Sequence, residues 1–118
     1  MKYMLLIYGN EHALSESERA HCYEESVQLA HSLKSNGQYL ATAPLHPTST
    51  ATSVRMREGK RLVTDGPFAE TREQLGGFFL IDAKDLDEAI GIAARIPGAR
   101  TGTVEIRPVI EVAGLPTD

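Results

Sequence analysis

Tryptophan is absent from the 118-residue sequence, and cysteine occurs once, at Cys22. A single cysteine excludes an internal disulfide, which is usual for proteins of a reducing compartment. No apolar run approaches the roughly 18 residues that cross a bilayer as a helix. The short run after Met1-Lys2 also lacks the length of a signal-peptide core with its cleavage site. We therefore expect a cytoplasmic protein with no membrane contact.

Positive charge is in the minority, because 12 lysines and arginines face 16 aspartates and glutamates, for a formal net charge of −4. Nucleic-acid binding depends on neutralising phosphates, so we expect no nucleic-acid partner. The four histidines form no His-x-x-x-His pair, and a metal site needs three or four converging ligands. Gly76-Gly77 lacks the spacing of a phosphate-binding loop. The sequence therefore predicts neither a metal nor another cofactor.

Two strands are apolar without interruption, Tyr3–Tyr8 and Leu75–Ile81. Such runs, without polar alternation, are typical of strands that are covered on both faces of a sheet. Gly76-Gly77, inside the second run, indicates a β-bulge or the close approach of another group.

Two helices are predicted from their caps and apolar spacing. Ser15 and Glu18 form a capping-box pattern, and the helix that follows runs to about Asn36, with Gly37 just past its end. Its expected buried stripe is Ala20, Tyr23, Val27, Ala30 and Leu33. Asp85 caps a second helix, which Pro97-Gly98 stops.

Four further strands are predicted. Gln38–Leu45 is one, and Ser53–Arg57 and Lys60–Thr64 form a hairpin around Glu58-Gly59. The last strand alternates from Val104 to Val112, which predicts burial mainly on one face.

The order of elements is that of a ferredoxin-like (split βαβ) α+β fold with an antiparallel sheet and an inserted β-hairpin. We expect one domain over residues 1–112 and a loose tail at 113–118. The two apolar runs occupy the central strand positions, while two helices cover only one sheet face. A second copy of the chain is the simplest cover for the other face, which predicts a homodimer. The alternative is that the inserted hairpin folds back over that face.

The segment Asp65-Gly66-Pro67-Phe68-Ala69-Glu70 is the most distinctive candidate site. In the functional interpretation, Asp65 and Glu70 line a pocket, Phe68 forms its apolar wall, and one carboxylate acts as general acid or base. In the structural interpretation, Asp65 caps the turn, Phe68 fills the core, and Glu70 caps the next turn or pairs with Arg72.

Other chemistry-bearing residues have weaker patterns. His46, between two prolines, is expected at a pocket rim. The hairpin cations Arg55, Arg57, Lys60 and Arg61 either clamp an anion or form a solvated edge that deters aggregation, and the second interpretation is favoured. Cys22 is expected to be an inert small apolar residue.

The run Val63–Thr71, followed by Glu73–Phe78, resembles the DGPF subgroup of the YCII-related proteins. The resemblance extends over nearly the whole chain, through Asp85–Ala89 and Val104–Pro108. It implies the dimeric α+β barrel superfamily. Most of the subgroup is uncharacterised, and its members are often linked with extracytoplasmic-function sigma factors.

In the broader family, the resemblance implies small enzymes in which a histidine on the first helix is paired with an aspartate. That histidine position falls near Ser26, so the chain lacks it. We therefore expect a small-molecule or cofactor-free acid–base pocket lined by Asp65, Phe68 and Glu70, with Ser26 and His46 nearby. The alternative is a non-enzymatic accessory protein that acts by protein contact, for example with a sigma-factor system.

Overall fold

The computed structural model describes residues 1–116; Thr117 and Asp118, the end of the predicted tail, lie outside the described residues. Six strands are present, β1 (Lys2–Gly9), β2 (Tyr39–Pro44), β3 (Thr52–Arg57), β4 (Lys60–Asp65), β5 (Gln74–Asp82) and β6 (Thr103–Pro108). The helices are α1 (Glu16–Ser35), α2 (Leu86–Ala94) and α3 (Gly98–Thr101), with a 3-10 turn at Thr48–Thr50.

The main sheet has the strand order β2-β5-β1-β6, and every neighbouring pair is antiparallel. This is the ferredoxin-like α+β arrangement that the order of elements predicts. β1 and β5, the two uninterrupted apolar runs, hold the central positions, as expected.

One face of the sheet and the helices enclose the core. Alternate residues of the central strands, Tyr3 and Leu5 on β1 and Phe79 and Ile81 on β5, are at most 3% exposed. They pack against buried residues of α1, α2 and the segment after α2. These residues are Leu29, Leu33, Ala89, Ile92, Ala93 and Ile96. The core is therefore one layer between sheet and helices.

The opposite sheet face, called the open face here, carries the other alternate residues of the central strands. Register places Met4 beside Leu80 and Leu6 beside Phe78. These side chains are only half-buried, and Tyr8 and Leu75 extend the face toward one end of the sheet. Within residues 1–116 the helices lie on the other side of the sheet. The side chains of the open face are therefore covered only by one another.

The caps follow the predicted chemistry. Ser15 accepts from the Glu18 amide, and the Glu18 carboxylate accepts from the Ser15 amide, which completes the capping box. These bonds hold the pKa of Glu18 below its ordinary value. Gly37 has φ of 72°, the left-handed conformation that favours glycine after a helix. Asp85 caps α2 by accepting from the Glu88 amide.

Three local predictions were wrong. The first half of the α1 stripe is exposed, with Tyr23 and Val27 about half accessible, and Leu29 and Leu33 are the buried residues of this helix. The last strand ends at Pro108 instead of Val112, because its partner β1 begins at Lys2, whose carbonyl accepts from the Val109 amide. Pro97-Gly98 stops α2 but also begins α3, which packs over Ile7 on the helix side.

The β3–β4 hairpin forms a separate two-stranded sheet, called the arm here. Its two-residue turn at Glu58-Gly59 has positive φ at both positions, as a tight hairpin requires. Eleven of the twelve strand residues are exposed, and only Ser53 is half-buried. The alternative in which the hairpin folds back over the open face is therefore wrong.

Two glycine substitutions should change stability in opposite directions. A Cβ at Gly102 would overlap the Tyr8 carbonyl oxygen and crowd the Gly9 Cα, so Gly102→Ala should cost more than about 2 kcal/mol. Gly91, exposed within α2, has open space around it, and Gly91→Ala should gain about 0.5–1 kcal/mol. Urea unfolding of the two variants measures both changes, and a tolerated Gly102→Ala would contradict this packing.

Candidate functional site

Four strand ends meet at one end of the sheet, where β1 and β2 finish and β5 and β6 begin. Gly9 pairs with Gln74, and Pro44 pairs with Gly77. A β-bulge at Gly76 shifts the register between β1 and β5. A Cβ at Gly77 would lie 2.9 Å from the Ala43 carbonyl oxygen. Both expectations for the glycine pair, a bulge and a close approach, are therefore confirmed.

The Asp-Gly-Pro turn closes the base of the arm. The Gly66 amide donates to the Ala51 carbonyl at 2.7 Å, and the Ser53 hydroxyl donates to the Gly66 carbonyl at 2.9 Å. Gly66 has φ of 102°, which a residue with a Cβ rarely adopts. The glycine therefore serves the turn, and these bonds hold the chain direction on either side of it.

The Asp65 carboxylate does not cap the turn in the way that the structural interpretation expects. Its backbone ends β4 opposite Thr52, but its exposed carboxylate accepts no hydrogen bond from any residue between 1 and 116. A turn-capping aspartate would accept from nearby amides. The turn is instead closed by backbone groups and Ser53, which leaves the carboxylate free.

Phe68 and Glu70 are also on the surface. The Phe68 ring is 73% exposed, so it does not fill the core, and the Arg55 guanidinium carbon lies 4.6 Å from its centroid. Glu70 is exposed and forms no ion pair with Arg72 within the described part of the chain. The following turn is held by Thr71, whose hydroxyl donates to the Glu73 carbonyl.

The other two predicted site residues come from different elements. His46 is exposed in the segment after β2, at the same end of the sheet as the turn. Ser26 is half-buried and lies ten residues into α1, about 15 Å along the helix from its first residue. The turn, His46 and the start of α1 thus share one end of the fold, and Ser26 lies farther along it.

A polar cluster at this end was not predicted from the sequence. The Glu11 carboxylate accepts from the Thr48 amide at 2.6 Å and from the Thr48 hydroxyl at 2.8 Å. The Glu11 amide donates to Gln74, and its carbonyl accepts from Arg19. Glu11 thus joins β1, α1, β5 and the 3-10 turn. No local motif indicates this, because Glu11 and Thr48 are 37 positions apart.

The bonds from Thr48 hold the pKa of Glu11 below its ordinary value, with smaller contributions from His12 and Arg19 against a small opposing effect of burial. The carboxylate therefore stays ionised through the neutral range. It fixes the segment that leads into the arm, close to Ala51, whose carbonyl accepts from Gly66 of the turn.

A second charged cluster lies between α1 and α3. Arg100 donates to both Glu25 carboxylate oxygens, at 2.8 and 3.1 Å, and His21 lies 3.2 Å from one of them. The Arg100 contact is the main reason that the pKa of Glu25 lies below its ordinary value. Beside this cluster is an open depression of about 350 Å³, partly lined by the half-buried Cys22.

A second depression, near the start of α1, is lined by Ser15, Glu16, Ser17 and Ala20, and Asp65 lines neither of the two. Over residues 1–116, no three His, Cys, Asp or Glu side chains cluster as metal ligands would. In the same range, none of the helices has the length and apolarity needed to cross a membrane.

With this geometry, the fold defines a ferredoxin-like α+β protein whose candidate site is a turn at the end of the sheet. A family model for the YCII-related domain matches residues 1–113. An uncharacterised protein of Rhizobium meliloti (strain 1021) is 38% identical over 114 residues, which cover 92% of each chain. The chain belongs to the YCII-related family, which confirms the family that the sequence resembles.

The Glu11–Thr48 contact should make stability depend on pH. Because the folded pKa of Glu11 is depressed, its contribution is present above the unfolded pKa, about 4.3, and is lost as pH falls through the folded value. Glu11→Gln should cost about 1 kcal/mol at pH 7. Urea unfolding from pH 3 to 7 should show this difference shrinking at the acidic end.

Glu24→Gln is the matched control, because Glu24 is exposed in the middle of α1, away from the helix ends. A Glu11→Gln variant with the same pH profile as wild type would show that the contact does not stabilise the fold.

Proposed function

We propose that the chain is a homodimer of the DGPF type whose open faces pack together as a dimeric α+β barrel. At its rim, the dimer binds a small molecule beside Asp65. Asp65 acts there as general acid or base without a cofactor, Phe68 forms the apolar wall, and Glu70 and His46 complete the polar rim. Ser26, where the family has its helix histidine, lies farther along α1 and supplies no second base to this rim.

The observation that carries the proposal is the open face itself. Its centre is built from Met4, Leu6, Phe78 and Leu80, while Glu105 and Arg107 of β6 lie beside it in register. An apolar centre with a charged edge resembles the anatomy of protein interfaces. These two residues of opposite charge also suit a twofold contact, because Glu105 of one protomer can then face Arg107 of its partner, and the reverse.

The free carboxylate of Asp65 supports the position of the site. The turn is stable without it, because Gly66, Ala51 and Ser53 make the closing hydrogen bonds. An acid or base needs a carboxylate that is not already used in the fold. In a dimer, the partner would supply the wall that the single protomer lacks.

The second candidate is the accessory role by protein contact. It is favoured by the absence of Asp65 from both described depressions, since a flat exposed turn suits a macromolecule better than a metabolite. In that case a different protein would cover the open face, and the isolated chain would remain monomeric.

Sedimentation equilibrium at micromolar concentration should give about twice the 12.9 kDa chain mass. Leu6→Asp should dissociate the dimer, because it places a carboxylate in the apolar centre of the interface. Leu86→Asp is the matched control, since Leu86 is exposed on the helix layer and an acidic residue suits the first turn of α2. A wild-type chain that sediments as a monomer contradicts the dimer.

A thermal-shift screen against small organic acids, amides and esters tests the pocket. A compound that binds there should raise the melting temperature of wild type and of Asp87→Asn, but not of Asp65→Asn. Asp87 is an exposed aspartate of α2 and serves as the matched control. A compound that stabilises Asp65→Asn equally, or a panel that stabilises nothing, argues against a pocket at this turn.

A further inference from the structure

Within one protomer, the arm lacks the packing contacts that a stable hairpin needs. A two-stranded hairpin alone in water is at best marginally stable and normally needs a third strand or a packed layer. Here β3 and β4 pair only with each other, and eleven of their twelve residues are exposed. Such a hairpin needs a surface to pack against.

The arm also carries more apolar surface than a solvated hairpin requires. Val54 and Val63 are directly opposite each other and are 60% and 56% exposed. Met56 lies on the same face as this pair, and Leu62 lies on the other face. Both faces of the arm therefore offer large aliphatic side chains for contact.

The charge of the arm is opposite to that of the rest of the chain. Residues 52–65 carry four cations and two carboxylates, a net charge of +2 in a chain of −4, which leaves −6 elsewhere. Arg57 lies directly across from Lys60, a repulsive pairing, and neither has a carboxylate partner within residues 1–116. An acidic partner surface would relieve this repulsion, and the rest of the same chain is acidic.

The exposed area indicates how much contact surface is available. A compact monomer of 12.9 kDa exposes about 6,300 Å², whereas this chain exposes 8645 Å². The excess, about 2,300 Å², is larger than the roughly 800 Å² that each partner buries in a standard interface. The radius of gyration, 16.1 Å against about 13.5 Å for a compact chain of this length, agrees with a projecting arm.

We propose that the arm reaches across to a second copy of this chain and packs its apolar and cationic surfaces against that copy. The inference rests on the proposed homodimer, but it adds a contact that sheet-on-sheet packing does not require. Asp65 ends the arm and Phe68 contacts Arg55 within it. The surface that receives the arm therefore also lies close to the Asp65 turn, and the partner copy completes that site.

The test compares dimer dissociation by sedimentation equilibrium for the full chain and two variants. V54T/V63T keeps β-branched side chains, and hence the hairpin, but removes apolar contact. It should raise the dimer dissociation constant at least about tenfold. Val27→Thr is the matched control, since Val27 is 56% exposed but lies on α1, across the sheet from the open face. It should leave the constant unchanged.

Hydrogen exchange gives a second measurement that does not depend on a substitution. Amides of residues 52–65 should be protected above the dissociation constant and should lose protection on dilution below it. The inference is overturned if the wild-type dimer forms while these amides exchange freely, or if V54T/V63T and Val27→Thr dissociate alike. If these amides stay protected in a monomer, the arm packs on its own chain, and the inference is overturned as well.

A wild-type chain that is monomeric would remove the proposed homodimer and the arm contact together. A dimer that Leu6→Asp disrupts but V54T/V63T does not would retain the homodimer and remove only the arm contact. The two proposals therefore fail on different results.

Discussion

The structure depends on a mismatch between a sheet that is apolar on both faces and a helix layer that covers one of them. β1 and β5 supply the core through Leu5 and Phe79, and the same strands present Leu6 and Phe78 to the other side. Burial on one face stabilises the protomer, while the other face remains available for association. The fold and the proposed homodimer thus depend on the same two strands.

Much of this arrangement could be predicted from the sequence, because the signals are local. Continuous apolar runs identify central strands, Ser15 with Glu18 identifies a helix start, and Glu58-Gly59 identifies a tight turn. Which part of α1 packs in the core could not be predicted. Ala30 and Leu33 of the expected stripe do pack there, together with Leu29. Tyr23 and Val27 of the same stripe are exposed. Packing overrides the apparent stripe.

The position of the candidate site in the sequence could be predicted, but the contacts around its residues could not. The motif identifies the turn, and Gly66 explains part of its chemistry through positive φ. Whether the Asp65 carboxylate is used within the turn depends on which backbone groups close it, and Ala51 and Ser53 belong to the other strand of the hairpin. The Glu11–Thr48 contact escapes prediction for the same reason, since its partners are brought together only by the completed sheet.

The topology also determines the order in which the chain becomes protected during synthesis. β1 is made first, yet both of its sheet partners, β5 and β6, lie more than 60 residues later. Loop closure over such distances slows folding, and unpaired apolar strands are prone to aggregate. The nascent chain therefore carries this apolar segment without its sheet partners until β5 has left the ribosome.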